Sequence, residues 1–174
     1  MGRFVGSGTV RQMSGLIFRD ATAEDVLTIV RMYADDALGG SRENASDPLP
    51  QSYLDAFGEI DGDPRHRLVV VVDGGEIVGT LQLSFLPHLV LRGGQRAQIE
   101  AVRVRSDRRG MGVGEEMLKW AIEQSRANGC RLVQLTTNSD RDDAKRFYAN
   151  LGFEPTHVGM KMVLTDGKVL RGAT

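Results

Sequence analysis

Apolar residues recur along this chain with two periods, and the alternation of the two marks out strands and helices. The run Leu16-Ile17-Phe18-Arg19 reads as a first strand, and Thr22-Ala23-Glu24-Asp25 behind it has the spacing of a helix N-cap. Val26, Ile29, Val30 and Tyr33 then fall on one helical stripe that ends at Gly39-Gly40. After a polar stretch from Ser41 to Pro50, Tyr53, Leu54 and Phe57 predict a second, shorter helix before the turn Asp61-Gly62-Asp63-Pro64. Leu68 to Val72 and Ile77 to Phe85, joined by Asp73-Gly74-Gly75, are written as a hairpin. A further strand runs from Ala97 to Val104, and a helix from Val113 to Asn128 stops at Gly129. Arg131 to Thr136 (strand), Asp142 to Leu151 (helix) and Gly159 to Leu164 (strand) complete the order.

The order β, α, α, β, β, β, α, β, α, β predicts an α/β fold, with a mixed, mostly antiparallel central sheet flanked by helices. Residues 1–14 read as a flexible tail and residues 15–174 as one domain, a size that buries a core unaided. With 41% hydrophobic and 26% charged residues the composition is globular, and a formal net charge of −1 gives no global field for nucleic acid or an anionic membrane. No stretch is long and apolar enough for a bilayer span or a signal-peptide core. The single cysteine, Cys130, excludes an intramolecular disulfide, and no Cys/His set has metal-binding spacing, so the expectation is a cytoplasmic protein without a metal.

The chemistry concentrates between the strand ending at Val104 and the helix starting at Val113, in Arg109-Gly110-Met111-Gly112-Val113-Gly114-Glu115. Glycines let successive backbone N–H groups converge on an anion, and the positive end of the following helix adds to the attraction. Arg105, Arg108 and Arg109 predict a cationic local field, so a pyrophosphate is the expected ligand. A Rossmann fingerprint and a P-loop both require other spacings.

Here the sequence resembles the GCN5-related N-acetyltransferase (GNAT) family, whose signature R/Q-x-x-G-x-G/A is met by Arg109, Gly112 and Gly114. Phe147-Tyr148-x-x-Leu151-Gly152-Phe153 is similar to that family's next motif, and the resemblance covers roughly Leu16 to Leu164. It implies acetyl-CoA as cosubstrate, a phosphate cradle at Arg109 to Glu115, and a strand splayed from its neighbour, with backbone groups of Val102 and Val104 holding the pantetheine arm. Where many members carry Asn seven residues before the tyrosine, this chain has Arg141.

Direct transfer to an amine needs a group that accepts the amine's proton and one that protonates the departing thiolate. Glu100 and Tyr148 are the candidates. Strict alternation puts Glu100 on the same sheet face as Val102 and Val104; it reads either as the base or as a rim ion-pair partner of Arg96 or Arg103. Tyr148 reads as the proton donor, as in the resembling family, or as one more core aromatic beside Phe147. His66, His88 and His157 stand in separate segments and receive no role, and Cys130 has no neighbouring base to activate it.

The acceptor is expected against Tyr33 to Tyr53, where Asp35, Asp36, Glu43 and Asp47 outnumber Arg42 and suit a cationic amine, small-molecule or peptide. Two alternatives stand beside this reading, a non-catalytic acyl-CoA-binding module and nucleic-acid binding through the loop arginines, which the net charge disfavours; Phe85 to Leu91, if exposed, is the candidate surface for a homodimer.

Overall fold

The computed structural model describes residues 11–13, 15–36, 42–162 and 164. Six strands, β1 (Arg11–Met13), β2 (Leu16–Asp20), β3 (His66–Asp73), β4 (Glu76–Pro87), β5 (Gln95–Val104) and β6 (Cys130–Leu135), form one sheet in sequence order. All neighbours run antiparallel except β5 and β6, which are parallel and are joined over the sheet by a helix. The helices are α1 (Val26–Ala34), α2 (Gln51–Gly62), a single turn α3 (Val90–Gly93), α4 (Val113–Ala127) and α5 (Asp142–Asn150).

The valine run of β3 is apolar without alternation because the strand is covered on both sides. Val69 and Val71 enter the larger core with α4, Val70 enters a smaller one with Ala21 and Ile29, and all three valines are fully buried. On the α4 face, Trp120 stacks on Phe18 at 5.3 Å between ring centroids, and Met117, Leu118 and Ala121 are fully buried beside it. Gly79 permits this close seating: a Cβ there would lie 2.6 Å from the Met117 sulfur. Gly74 and Gly75 both have positive φ, as a two-residue hairpin turn demands.

The structure departs from the expected elements in three places. Arg11–Met13, assigned to the tail, pairs with β2 as an edge strand. Between the hairpin and the strand that follows it, where no element is expected, lies the single turn α3. Gly159 to Met162 and Leu164, expected as a closing strand, join no ladder, and Met160 and Met162 are 93% and 84% exposed. Apolar alternation there signals a strand's side-chain pattern, yet a strand needs a partner edge as well as a pattern. The proposed dimer stretch also divides, since Phe85 is core while Leu89 and Val90 are exposed.

Candidate functional site

β5 leads through a 3₁₀ turn at Ser106–Arg108 into the glycine loop, and Gly110 and Gly112 take φ of 75° and 84°. Gly112 is the N-cap of α4, has no side chain to cap with, and supplies the carbonyl for the first intrahelical bond, from the Glu116 N–H at 3.1 Å. The N–H groups of Val113, Gly114 and Glu115 precede that bond and have no intrahelical acceptor, so they and the helix dipole are available to an anion. A Cβ on Gly112 would meet nothing within 4 Å; its φ, and not crowding, selects glycine. Gly114 has ordinary helical geometry, and a Cβ there would sit 3.6 Å from Val104 and 3.7 Å from Phe147.

The loop's arginines do not produce the cationic field expected of them. Arg105 pairs with Asp107 and Glu76, Arg108 with Asp73, and Arg109 with Asp35 at the end of α1. Arg109 also donates to the Val104 carbonyl at 3.2 Å and to the Asp35 carbonyl at 3.3 Å. These guanidiniums fasten the loop to β4, the hairpin and α1, and the anion-binding capacity lies in backbone N–H groups.

β5 and β6 stay paired only as far as Ile99 and Leu135, after which β5 continues without that neighbour. Beyond Ile99, β5 therefore presents an edge that β6 does not pair. Arg105 N–H donates to the Val78 carbonyl, so in the antiparallel alternation Val104 and Val102 turn their backbone groups toward the open side. Val102 and Val104 already have their carbonyls engaged, by Arg103 and Arg109, which leaves their N–H groups for a ligand.

Glu100 does not share a face with Val102 and Val104. The β4–β5 register slips between Thr80 and Gln82, where Ala101 adopts φ of 52°, a bulge that adds one residue on the β5 side. Ile99, Val102 and Val104 consequently pack toward α4, while Glu100 and Arg103 project to the face of α1. Glu100 is exposed there and forms no ion pair with Arg96 or Arg103.

Beyond the fork of β5 and β6 opens a cleft of about 180 Å³. Its lining includes Glu100, Val102 and Arg103 from β5, Thr136 to Asn138 after β6, Asp36 and Arg42 near α1, and Arg141 and Tyr148 of the α5 segment. The two catalytic candidates thus meet in one cavity. Tyr148 is flanked by Phe147 and Phe153, its hydroxyl has no hydrogen bond among the described residues, and burial pushes its pKa up against the opposing pull of Arg141 and Arg103. A phenol held protonated beside an exposed carboxylate can supply a proton at one point while the carboxylate receives one at another.

Sequence reasoning missed the cleft's electrostatic centre. Asp36, 8% exposed, accepts from Arg103 at 2.9 Å through one oxygen and from Arg141 at 2.9 Å through the other. These partners lie 67 and 105 residues away, beyond the reach of any spacing rule. Three of the four acids expected to attract a cationic acceptor are already engaged: Asp36 here, Asp35 with Arg109, and Glu43 with the Tyr53 hydroxyl at 2.8 Å. Arg103 is further fixed over the Tyr33 ring, 5.9 Å from its centroid, and burial pushes the Tyr33 phenol up to about 12. No group of three or more potential metal ligands occurs among the described residues, and none of their helices is long and apolar enough to cross a membrane.

Comparison with known proteins identifies the family and the fold. The model of the Acetyltransferase (GNAT) family matches residues 4–153. The aminoalkylphosphonate N-acetyltransferase of Salmonella typhimurium is 33% identical over 107 residues, 62% of this chain and 69% of that protein. An L-methionine sulfoximine/L-methionine sulfone acetyltransferase of Pseudomonas aeruginosa is 27% identical over 138 residues, 78% of each chain. A crystal structure described as a transcriptional regulator from Bacillus halodurans superposes with a TM-score of 0.84 at 48% identity, covering 86% of this chain and 99% of that one.

Proposed function

The chain belongs to the GNAT acetyltransferase family, and from that premise we propose that it transfers an acetyl group from acetyl-CoA to a small primary amine by direct attack, in the cytoplasm. The observation that carries the reading is a juxtaposition: Gly114, in the first turn of α4 where N–H groups lack an intrahelical acceptor, lies against Val104 and Phe147, and their near neighbours Val102 and Tyr148 line the cleft with Glu100. The backbone of Arg109 to Glu115 would hold the pyrophosphate, and the open edge at Val102 and Val104 the pantetheine arm. When bound, acetyl-CoA supplies an activated thioester carbonyl; every other requirement falls on the chain's own residues. Glu100 takes the proton that the ammonium must lose to become a nucleophile, directly or through one water, and the protonated Tyr148 phenol donates toward the thiolate sulfur. The acetyltransferases similar to this chain that are named for small acceptors support a small-molecule amine over a protein.

Calorimetry with acetyl-CoA tests the cosubstrate, and thiol release in the presence of amines tests turnover. Saturable binding with amine-dependent release is the expected result; a protein that does not bind acetyl-CoA overturns the proposal. A second reading, a non-catalytic acyl-CoA-binding regulator, is favoured by the description of the Bacillus halodurans protein. It predicts binding without thiol release and indifference to Glu100→Gln and Tyr148→Phe. With a formal net charge of −1, no strong salt-dependent binding to DNA is expected in a gel shift.

A further inference from the structure

We propose that the acceptor carries an oxyanion as well as its amine, a carboxylate or phosphonate a few bonds from the nitrogen, and that Arg141, braced with Arg103 by Asp36, recognises it. The inference rests on the acetyltransferase reading and deepens it. Three guanidiniums, of Arg42, Arg103 and Arg141, line the cleft against two carboxylates, of Asp36 and Glu100. Asp36 attracts no ligand, because each of its oxygens already accepts from one of two arginines. Its effect is to hold both guanidiniums at the cavity wall, an arrangement that two like charges would otherwise resist.

The donors left over point to the ligand's chemistry. Arg141 uses only one terminal nitrogen on Asp36, its other N–H groups have no partner among the described residues, and its side chain is 41% exposed. Arg103 is the better buried of the two and retains an Nε without a hydrogen-bond partner. A guanidinium with an open pair of donors matches the two oxygens of a carboxylate or phosphonate, which would replace the water that reaches it. Glu100 on the same sheet face supplies the opposite charge, so the cleft presents one group for an ammonium and another for an oxyanion. A cleft of about 180 Å³ suits an acceptor with a few heavy atoms between the two.

The test uses the full chain with a panel matched in length: 2-aminoethylphosphonate, 3-aminopropanoate, and the neutral-tailed 1-aminopropane and ethanolamine. Thiol release gives kcat/KM for each, and calorimetry in the presence of CoA gives the affinity for propylphosphonate, which lacks the amine. The expected result is an advantage of about tenfold to a hundredfold in kcat/KM for at least one acid-bearing amine, the value of one or two charge-assisted hydrogen bonds. Comparing phosphonate with carboxylate identifies which oxyanion fits. Arg141→Gln should reduce that ratio to near one, and Arg141→Lys should restore part of it, since the charge returns without the fork. The ratio cancels any effect the variant has on Tyr148, and an unchanged acetyl-CoA affinity shows the fold and the cosubstrate site to be intact. Equal rates for acidic and neutral amines, a ratio insensitive to Arg141→Gln, or neither turnover of the acids nor binding of propylphosphonate would each overturn the inference while acetyl-CoA binding stands. If acetyl-CoA itself fails to bind, the acetyltransferase reading fails and this inference falls with it.

Discussion

Two arginine-rich regions lie side by side in this molecule, and they use the same side chain in opposite ways. In the glycine loop, Arg105, Arg108 and Arg109 each face an acid, and the anion-binding capacity comes from uncapped N–H groups of α4. In the cleft, Arg103 and Arg141 share one aspartate between them and keep donors in reserve. Adjacent arginines in sequence therefore made the less available cationic site, and arginines far apart made the more available one. Only Asp107 is a neighbour along the chain; Arg108 and Arg109 find Asp73 and Asp35 in other segments, so the fold, and not sequence proximity, neutralises the loop.

The sharpest way to break this comparison is at Gly112. Gly112→Glu forces a side chain into φ of 84° and sets a carboxylate where the pyrophosphate is expected, so acetyl-CoA affinity measured by calorimetry should fall by more than about a hundredfold. Retained binding would return the glycines to being only a turn. In the cleft, Tyr148→Phe should lower kcat by about a hundredfold, within the range for a general acid, and change acetyl-CoA affinity little. Because burial raises the Tyr148 pKa, the wild-type rate should hold its plateau up to or beyond pH ~10, the ordinary phenol value, before the proton donor is lost.

A smaller effect concerns stability. Asp36→Asn leaves two guanidiniums facing each other, and a loss of about 2 kcal/mol is expected in urea unfolding, below the usual figure for a buried pair because Arg141 is partly exposed. The smallest should come from Arg108→Gln: its ion pair is only half-buried and open to screening, so both stability and acetyl-CoA affinity should change by less than about 1 kcal/mol. If Arg108→Gln weakened acetyl-CoA severely, the loop would be working by charge after all, and the contrast drawn between the two regions would disappear.

Much of the scaffold was legible in the sequence because it is periodic. The valine run of β3, the hairpin turn and the stripe of α4 each carry a local signal that tertiary packing reinforces. The glycine loop was legible for a different reason, since positive φ at Gly110 and Gly112 is a backbone demand that few residues meet. Three features had no such signal. The pairing of Arg11 to Met13 depends on a partner edge, the bridge from Asp36 to Arg103 and Arg141 joins three distant segments, and the reversed facing of Glu100 depends on a slip that Ala101 does not advertise. Reading the glycine loop's charge from composition failed because the compensating acids Asp35, Asp73 and Glu76 lie in other segments.

The extra residue at Ala101 has a consequence for how this site tolerates change. One strand serves two clients, with Val102 and Val104 packed toward α4 and Glu100 and Arg103 on the face of α1, and a single added position divides the two sets. Removing one residue there would act as a change of phase: the side chains on one side of the deletion would exchange clients while every residue type survived. The cleft should thus withstand many replacements along β5 better than any change in its length, and a library built from substitutions would explore acceptors where one built from deletions would dismantle the site.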